Sequence, residues 1–217
     1  MKIAGYEMIK ELVSRYGALA VCESEITAAA EMLCECYKNG GKVLTLGNGG
    51  SAADALHIVG ELMKCFVLDR KLDSDIRAKL LSAGGEDGEM LANNLEAPLP
   101  AISLLNETSL ETAYSNDVAP ELCFAQQVLG LGNEGDVLIA ISTSGNSKNA
   151  VLAAKVAAAK GVKVISMTGE GGGKLKAVSD VTIAVPDTET YRIQEFHLPV
   201  YHTLCLVLEE EFFGDRK

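Results

Sequence analysis

Tryptophan is absent from this 217-residue chain, aromatic residues make up only 5%, and 19 lysines and arginines face 30 aspartates and glutamates. The formal charge of −11 at pH 7 excludes a basic face of the kind that grips nucleic acid or an anionic membrane as the main partner. It would also repel a free phosphate at long range, so an anion site here has to work through local backbone donors. Cysteine occurs six times (Cys22, Cys34, Cys36, Cys65, Cys123 and Cys205) but never as Cys-x-x-Cys. These read as reduced, mostly buried small hydrophobes, and no disulfide is expected. No apolar run approaches the ~20 residues that a bilayer span requires, and Met1–Glu7 lacks the apolar core of a signal peptide. A cytoplasmic protein is the expectation.

Hydrophobic residues at 48% suffice for the core of one α/β domain over residues 1–217. Five apolar runs predict strands: Lys42–Leu46, Ala101–Leu105, Asp136–Ile141, Val162–Met167, and Val181–Val185 stopped by Pro186. Helical stretches separate them. Alternation of this kind predicts a doubly wound, mostly parallel sheet of about five strands with helices on both faces and right-handed crossovers. A long helical segment, about residues 1–40, precedes the first strand. It is expected to break near Gly17 and to close at Gly40-Gly41, and Ile26, Ala29, Met32, Leu33 and Cys36 recur at helical spacing within it. Residues 67–100 read as an insertion, with a helix over Leu72–Leu81, a glycine cluster, and a short helical piece before Pro98-Leu99-Pro100. Asn106–Asp117 reads as a polar segment beyond a strand's carboxyl end, Pro120–Leu131 as a helix, and Thr190–Phe213 as the closing helix.

Two turns carry the chemistry. After the first strand comes Gly47-Asn48-Gly49-Gly50-Ser51-Ala52-Ala53-Asp54, a glycine turn opening a helix near Ser51 that Ser51 or Asp54 could cap. Free N–H groups at such a helix start, with the dipole's positive end, suit a phosphate; the plainer reading is ordinary glycine punctuation. That helix, read to about Phe66, carries His57 and Glu61 four residues apart on one face. Leu56, Ile58, Val59 and Leu62 make the helix mostly buried, so the pair reads as metal ligands or a proton-transfer couple rather than a solvated face. After the third strand, Ser142-Thr143-Ser144-Gly145-Asn146-Ser147 precedes the helix Lys148–Lys160, ended by Gly161. Four hydroxyls in six residues exceed what a capping turn needs, which points to a second phosphate contact. Both turns fall at strand carboxyl ends, where such sheets bind ligands.

Leu46-Gly47-Asn48-Gly49-Gly50-Ser51, Ile141–Ser147 and Arg192-Ile193-Gln194-Glu195-Phe196-His197 together resemble the phosphoheptose isomerases of the sugar isomerase (SIS) superfamily. The likeness runs through most of the chain in order. It implies an enzyme, an aldose–ketose isomerase converting sedoheptulose 7-phosphate into D-glycero-D-manno-heptose 7-phosphate, acting as a homotetramer with sites shared between subunits and usually with one zinc ion per site. Carried over by motif, the phosphate falls on Ser51, Ser142, Thr143, Ser144 and Ser147. Asn48, Gly49, Asn116 and Asp117 fall along the sugar, and the metal positions fall on His57, Glu61, Gln194 and His202. Glu61 and His202 also match the acid–base pair, and Glu61 and Gln194 count among the substrate contacts. A related branch that binds the bacterial replication initiator keeps the serines but lacks the glutamate and the last histidine, so a non-catalytic module or phosphosugar sensor is the weaker alternative. Another sugar phosphate as substrate is the third.

Two departures and one spacing stand out. The family usually carries a basic residue just before the aromatic matching Phe66, whereas this chain has Cys65 there and Lys64 one place earlier; the stretch up to Ala101 is also longer. Gln194 and His202 are eight apart, about 12 Å along a helix, so one ion is expected to take them from different subunits or to use one at a time. His197 reads as a packed histidine outside the set.

Overall fold

The structure, a computed structural model, describes residues 1–214. Five strands, β1 (Val43–Gly47), β2 (Ala101–Ser103), β3 (Val137–Ile141), β4 (Lys163–Thr168) and β5 (Val181–Ala184), form one sheet in the order β2-β1-β3-β4-β5. Every pairing is parallel. The chain leaves β1 for the β2 side and returns to the β3 side, so the order reverses between β1 and β3, which makes that crevice the switch point. Gly47 pairs with Ile141 across it. The glycine turn and the serine turn therefore start side by side.

Side-chain alternation separates two cores. Val43, Val137, Ile139, Ile141, Ile165, Met167 and Ile183 face one layer of helices. It comprises α1 (Ile3–Arg15), α2 (Glu23–Lys38), α3 (Gly50–Met63) and the last helix, α9 (Thr190–Phe213). Leu44, Leu46, Leu138, Ala140 and Val164 face the opposite layer, made by α7 (Cys123–Leu131) and α8 (Lys148–Ala159). Every residue of β1 and β3 is buried, as parallel strands covered on both faces require. The amino-terminal segment divides where expected, at Tyr16-Gly17, with a 3-10 stretch over Gly17–Cys22 between α1 and α2. Five of the six cysteines are buried, Cys65 is half-buried, and all six are free thiols.

Several boundaries move. The strand expected over Ala101–Leu105 ends at Ser103, where the edge of the sheet leaves it a single neighbour. The helix expected over Leu72–Leu81 is α4 (Ser74–Ala83), set by Asp73, whose Oδ1 accepts from the Ile76 N–H at 2.9 Å. It is followed by α5 (Gly88–Asn94). Asn106–Asp117 is largely helical, forming α6 (Thr108–Asp117). Pro199 lies inside α9, between Gln194 and His202. A proline there has no N–H for the Glu195 carbonyl one turn back and crowds it.

Candidate active site

α3 opens at Gly50, one residue earlier than expected, on Gly49 at φ +56. Neither Ser51 nor Asp54 caps it: the cap position makes no side-chain bond, and Ser51 already sits inside the first turn. The turn is tight. A Cβ on Gly47 would stand 2.3 Å from the Ser51 carbonyl oxygen, so only glycine fits. The serine turn closes on itself through Gly145 N–H to Ser142 O at 2.9 Å, with Gly145 at φ +64. A Cβ at Gly145 would meet the Gly172 carbonyl at 2.1 Å, so the Gly171–Gly173 loop backs this turn closely.

Hydroxyls here are not consumed in capping. Ser147 precedes α8 yet makes no cap bond; its Oγ pairs with Ser142 Oγ at 2.9 Å. Ser144 Oγ accepts from Asn146 N at 3.2 Å. Ser51 and Ser142 are buried, Thr143 is half-buried and Ser144 exposed. The two turns are joined by a reciprocal amide pair: Asn48 Nδ2 donates to Asn149 Oδ1 at 3.0 Å, and Asn149 Nδ2 to Asn48 Oδ1 at 2.9 Å. Asn149 was missed from sequence, although a polar residue in the first turn after the serine motif was the signal available. Asn116 and Asp117 lie exposed at the end of α6, where Asn116 Nδ2 donates to Asp117 Oδ1 at 2.8 Å.

One and a half turns past Ser51, His57 and Glu61 share a face, with His57 Nε2 and Glu61 Oε1 3.0 Å apart. The helix is less uniformly covered than expected: Ile58 and Leu62 are buried, but Leu56 is 43% exposed. From α9, His202 sets its ring edge-on to His57 with centroids 5.0 Å apart, and packs on Phe66. Two atoms in this cluster, Glu61 Oε2 and His202 Nε2, are buried without a hydrogen bond. Burial, together with the neighbouring His57, pulls the His202 pKa below its ordinary value, and Glu61 opposes the shift. His202 is therefore a neutral base at neutral pH. Lys64 Nζ comes within 3.7 Å of Glu61 Oε2, bringing a positive charge to the carboxylate, and the Cys65 N–H is held by Glu96 Oε2 at 2.7 Å.

Gln194 is elsewhere. Its amide lies over Gly50, where a Cβ would stand 2.5 Å from Nε2, so it meets the start of α3 while His202 meets the middle. Within one chain the two do not converge. Among the described residues no group of three His, Cys, Asp or Glu is gathered closely enough to hold a metal ion. The donor types and the two orphaned atoms nevertheless fit a cation completed from outside this chain.

Three further residues frame the cluster, and sequence reading passed over their part in it. Tyr201 OH stands 2.9 Å from His57 Nδ1 and donates to Asp54 Oδ1 at 3.4 Å. Arg70, wholly buried, donates to the carbonyls of Glu61 (3.0 Å) and Leu62 (2.7 Å) and to Glu209 Oε1 (2.7 Å). Glu209, equally buried, also accepts the N–H groups of Phe66, Val67 and Leu68 at 2.8–2.9 Å. This explains why α3 stops at Met63 and not at Phe66. A cavity of about 580 Å³ on the outer side of Arg70, lined also by Lys71, Arg77, Asn93 and Glu96, is separate from the histidine cluster.

His197 is a core residue, as expected. It is fully buried, its Nε2 hydrogen bonds to the Thr168 carbonyl at 3.2 Å, and burial lowers its pKa to about 4 against 6.5 when free. Below pH 6.5 the unfolded chain takes up a proton at this site that the folded chain refuses. Stability therefore falls with pH from 6.5 down to about 4 and no further on this account, by about 2–3 kcal/mol at pH 4.5. His197→Gln, which keeps a donor for Thr168, is expected to lose that much less than the parent between pH 7 and pH 4.5 in urea denaturation.

The SIS domain family model matches residues 7–83 and 88–169. Among curated proteins the chain is 39% identical to a phosphoheptose isomerase of Campylobacter jejuni, over 88% of this chain and 89% of that one. It is 40% identical to the phosphoheptose isomerase of Rhodospirillum rubrum over 88% of each. Among solved structures, the phosphoheptose isomerase of Neisseria gonorrhoeae superposes with a TM-score of 0.72 at 35% identity, covering 93% of this chain and 94% of the other. That of Francisella tularensis gives 0.71 at 33%, over 86% of each.

Proposed function

The chain belongs to the phosphoheptose isomerase family of SIS-domain proteins, and we propose that it converts sedoheptulose 7-phosphate into D-glycero-D-manno-heptose 7-phosphate through an ene-diol intermediate. The observation that carries this reading is the placing of Glu61, on the helix that opens at the glycine turn, and His202, on α9, to either side of His57, each with a buried atom that makes no hydrogen bond.

The phosphate sits between the two turns, on Ser51, Ser142, Thr143, Ser144 and Ser147 and the N–H groups that start α3 and α8. Held there, it fixes the reacting carbons without taking part in the chemistry. Asn48 and Gly49 line the sugar, and Asn48 is oriented by Asn149. Asn116 and Asp117 approach the chain's far hydroxyls. Isomerisation removes a proton from C1, returns one to C2, and moves a hydroxyl proton from one oxygen to the other. Glu61 and His202 divide these transfers, one serving carbon and the other oxygen. His57, Glu61 and His202, which a single chain does not gather around one point, would hold a zinc ion only in a completed site, with Gln194 supplied by a second copy, since one chain aims Gln194 and His202 at different parts of α3. A zinc ion held there would supply Lewis-acid polarisation of the carbonyl and offset negative charge on oxygen. Sites shared between copies are part of this reading, with a homotetramer as the proposed assembly and the cytoplasm as the proposed location. No helix among the described residues is long and apolar enough to cross a membrane.

The test is turnover of sedoheptulose 7-phosphate by the purified, zinc-loaded protein, read by appearance of the aldose. If turnover is absent but a sugar phosphate still raises the melting temperature, the pocket stands and the substrate is another phosphosugar. If neither appears, the non-catalytic reading takes its place.

A further inference from the structure

Asn48 and Asn149 face each other across the crevice between β1 and β3, one in the glycine turn and the other at the second residue of α8. An asparagine amide can sit either way round, and its two ends offer a ligand opposite chemistry. Here the main chain makes the choice. Ser147 stands at the cap of α8, where a hydroxyl ordinarily accepts the N–H of the second or third helical residue. Its Oγ is turned to Ser142 Oγ instead, at 2.9 Å. The third N–H, that of Ala150, goes to Asn149 Oδ1 at 2.9 Å. Turned over, Asn149 would set its NH2 group against that N–H, donor against donor. With Oδ1 fixed in this way, Asn48 Nδ2 donates to it at 3.0 Å, and Asn48 Oδ1 accepts from Asn149 Nδ2 at 2.9 Å. Neither bond can reverse, because an amide oxygen carries no hydrogen and an amide nitrogen accepts none. Asn48 is exposed and Asn149 half-buried, so water competes for both bonds and they add little to stability. What they do hold is the direction of the Asn48 amide.

We propose that Asn149 is a positioning residue that fixes the Asn48 amide one way round, with one Nδ2 hydrogen left for the sugar, and that it acts on the ligand through Asn48 alone. The order runs from the Ala150 N–H to Asn149 and from Asn149 to Asn48, so the start of α8 sets a side chain in the glycine turn. This rests on the reading of the two turns as a sugar phosphate site given above.

Asn149→Ala is expected to raise KM for sedoheptulose 7-phosphate about 3–10-fold while kcat stays within about twofold, the mark of a lost binding contact. In an Asn48→Ala background the same change is expected to raise KM no further. A change that acted by loosening α8 or the serine turn would raise it there as before. Nitrogen-15 NMR of the ligand-free protein reads the pair directly, through exchange of the Asn48 Nδ2 hydrogens with water. One of them is expected to exchange slowly in the parent and in Asn149→Asp, which keeps an acceptor for both Ala150 and Asn48, and both to exchange fast in Asn149→Ala. An unchanged KM in Asn149→Ala, a KM that rises again in the Asn48→Ala background, or fast exchange at Asn48 in the parent would each overturn the proposal. Should the parent turn over no sedoheptulose 7-phosphate, the function proposed above fails on its own and the exchange comparison decides this one.

Discussion

Glu209→Ala is expected to cost about 3–5 kcal/mol, because removing one partner of a buried pair leaves the other charged and dry. For a chain of this size that is a fall of roughly 6–20 °C in melting temperature. Four donors lose their acceptor at once: the N–H groups of Phe66, Val67 and Leu68, and Arg70 Nε. Burial raises the Glu209 pKa, but those donors outweigh it and hold the group below the ordinary carboxylate range. Its contribution is therefore complete near neutrality and is lost only as pH falls through that lowered value. The double variant Arg70→Met with Glu209→Met is expected to cost much less than the sum of the singles, since a neutral apolar pair leaves no orphaned charge. Thermal melts of Glu209→Ala, of the two methionine singles and of their double variant check both statements. Activity should fall as well in any variant that stays folded, because Arg70 holds the Glu61 carbonyl and so sets the end of α3 against α9.

Glu61→Gln and His202→Ala are each expected to lower kcat on sedoheptulose 7-phosphate by about 10²–10⁴-fold. Gln keeps the size of the side chain but neither takes a proton at neutral pH nor holds a cation as a carboxylate does. Removing His202 takes away the neutral base and empties the space beside Phe66. The double variant should be little worse than the poorer single, because on the proposed mechanism the two groups act in one proton circuit that either single change already breaks. Phosphate binding at the turns should survive in all three. A sugar phosphate that still stabilises the inactive variants against heat would separate loss of chemistry from loss of the pocket. Full activity in either single variant would remove that residue from the reaction.

The sheet was legible in the sequence because each strand is an apolar run cut off by glycine, proline or hydroxyl residues. α9 was legible for the same reason at helical period, and Thr190–Phe213 is both the expected and the observed span. Elements that bury nothing were harder. Neither α4 nor α6 has a buried residue, so no apolar stripe marked either one; α4 was displaced by two residues and α6 was read as a polar segment. The end of α3 was out of reach for another reason. Its stop at Met63 is imposed by Glu209, well over a hundred residues away, and local pattern carries no trace of that.

Within the site, the glycine and hydroxyl turns and the His57–Glu61 pair could be read because their members are near in sequence. Tyr201 could not, since a tyrosine beside His202 on a buried helix looks like core until His57 is seen against it. The eight-residue gap between Gln194 and His202 was informative without any structure. It led to the separation that the chain displays, with one residue over Gly50 and the other against His57.

Pro199 gives that separation a mechanical meaning. A continuous hydrogen-bonded helix transmits twist and bend from one end to the other, so moving Gln194 would drag His202 with it. The missing N–H at Pro199 interrupts the ladder between them and makes α9 compliant at that point. One half carries Gln194 over the start of α3, and the other carries His202, packed against Tyr201, His57 and Phe66. The contact of Gln194 at Gly50 and that of His202 at His57 can therefore be adjusted separately within a single helix.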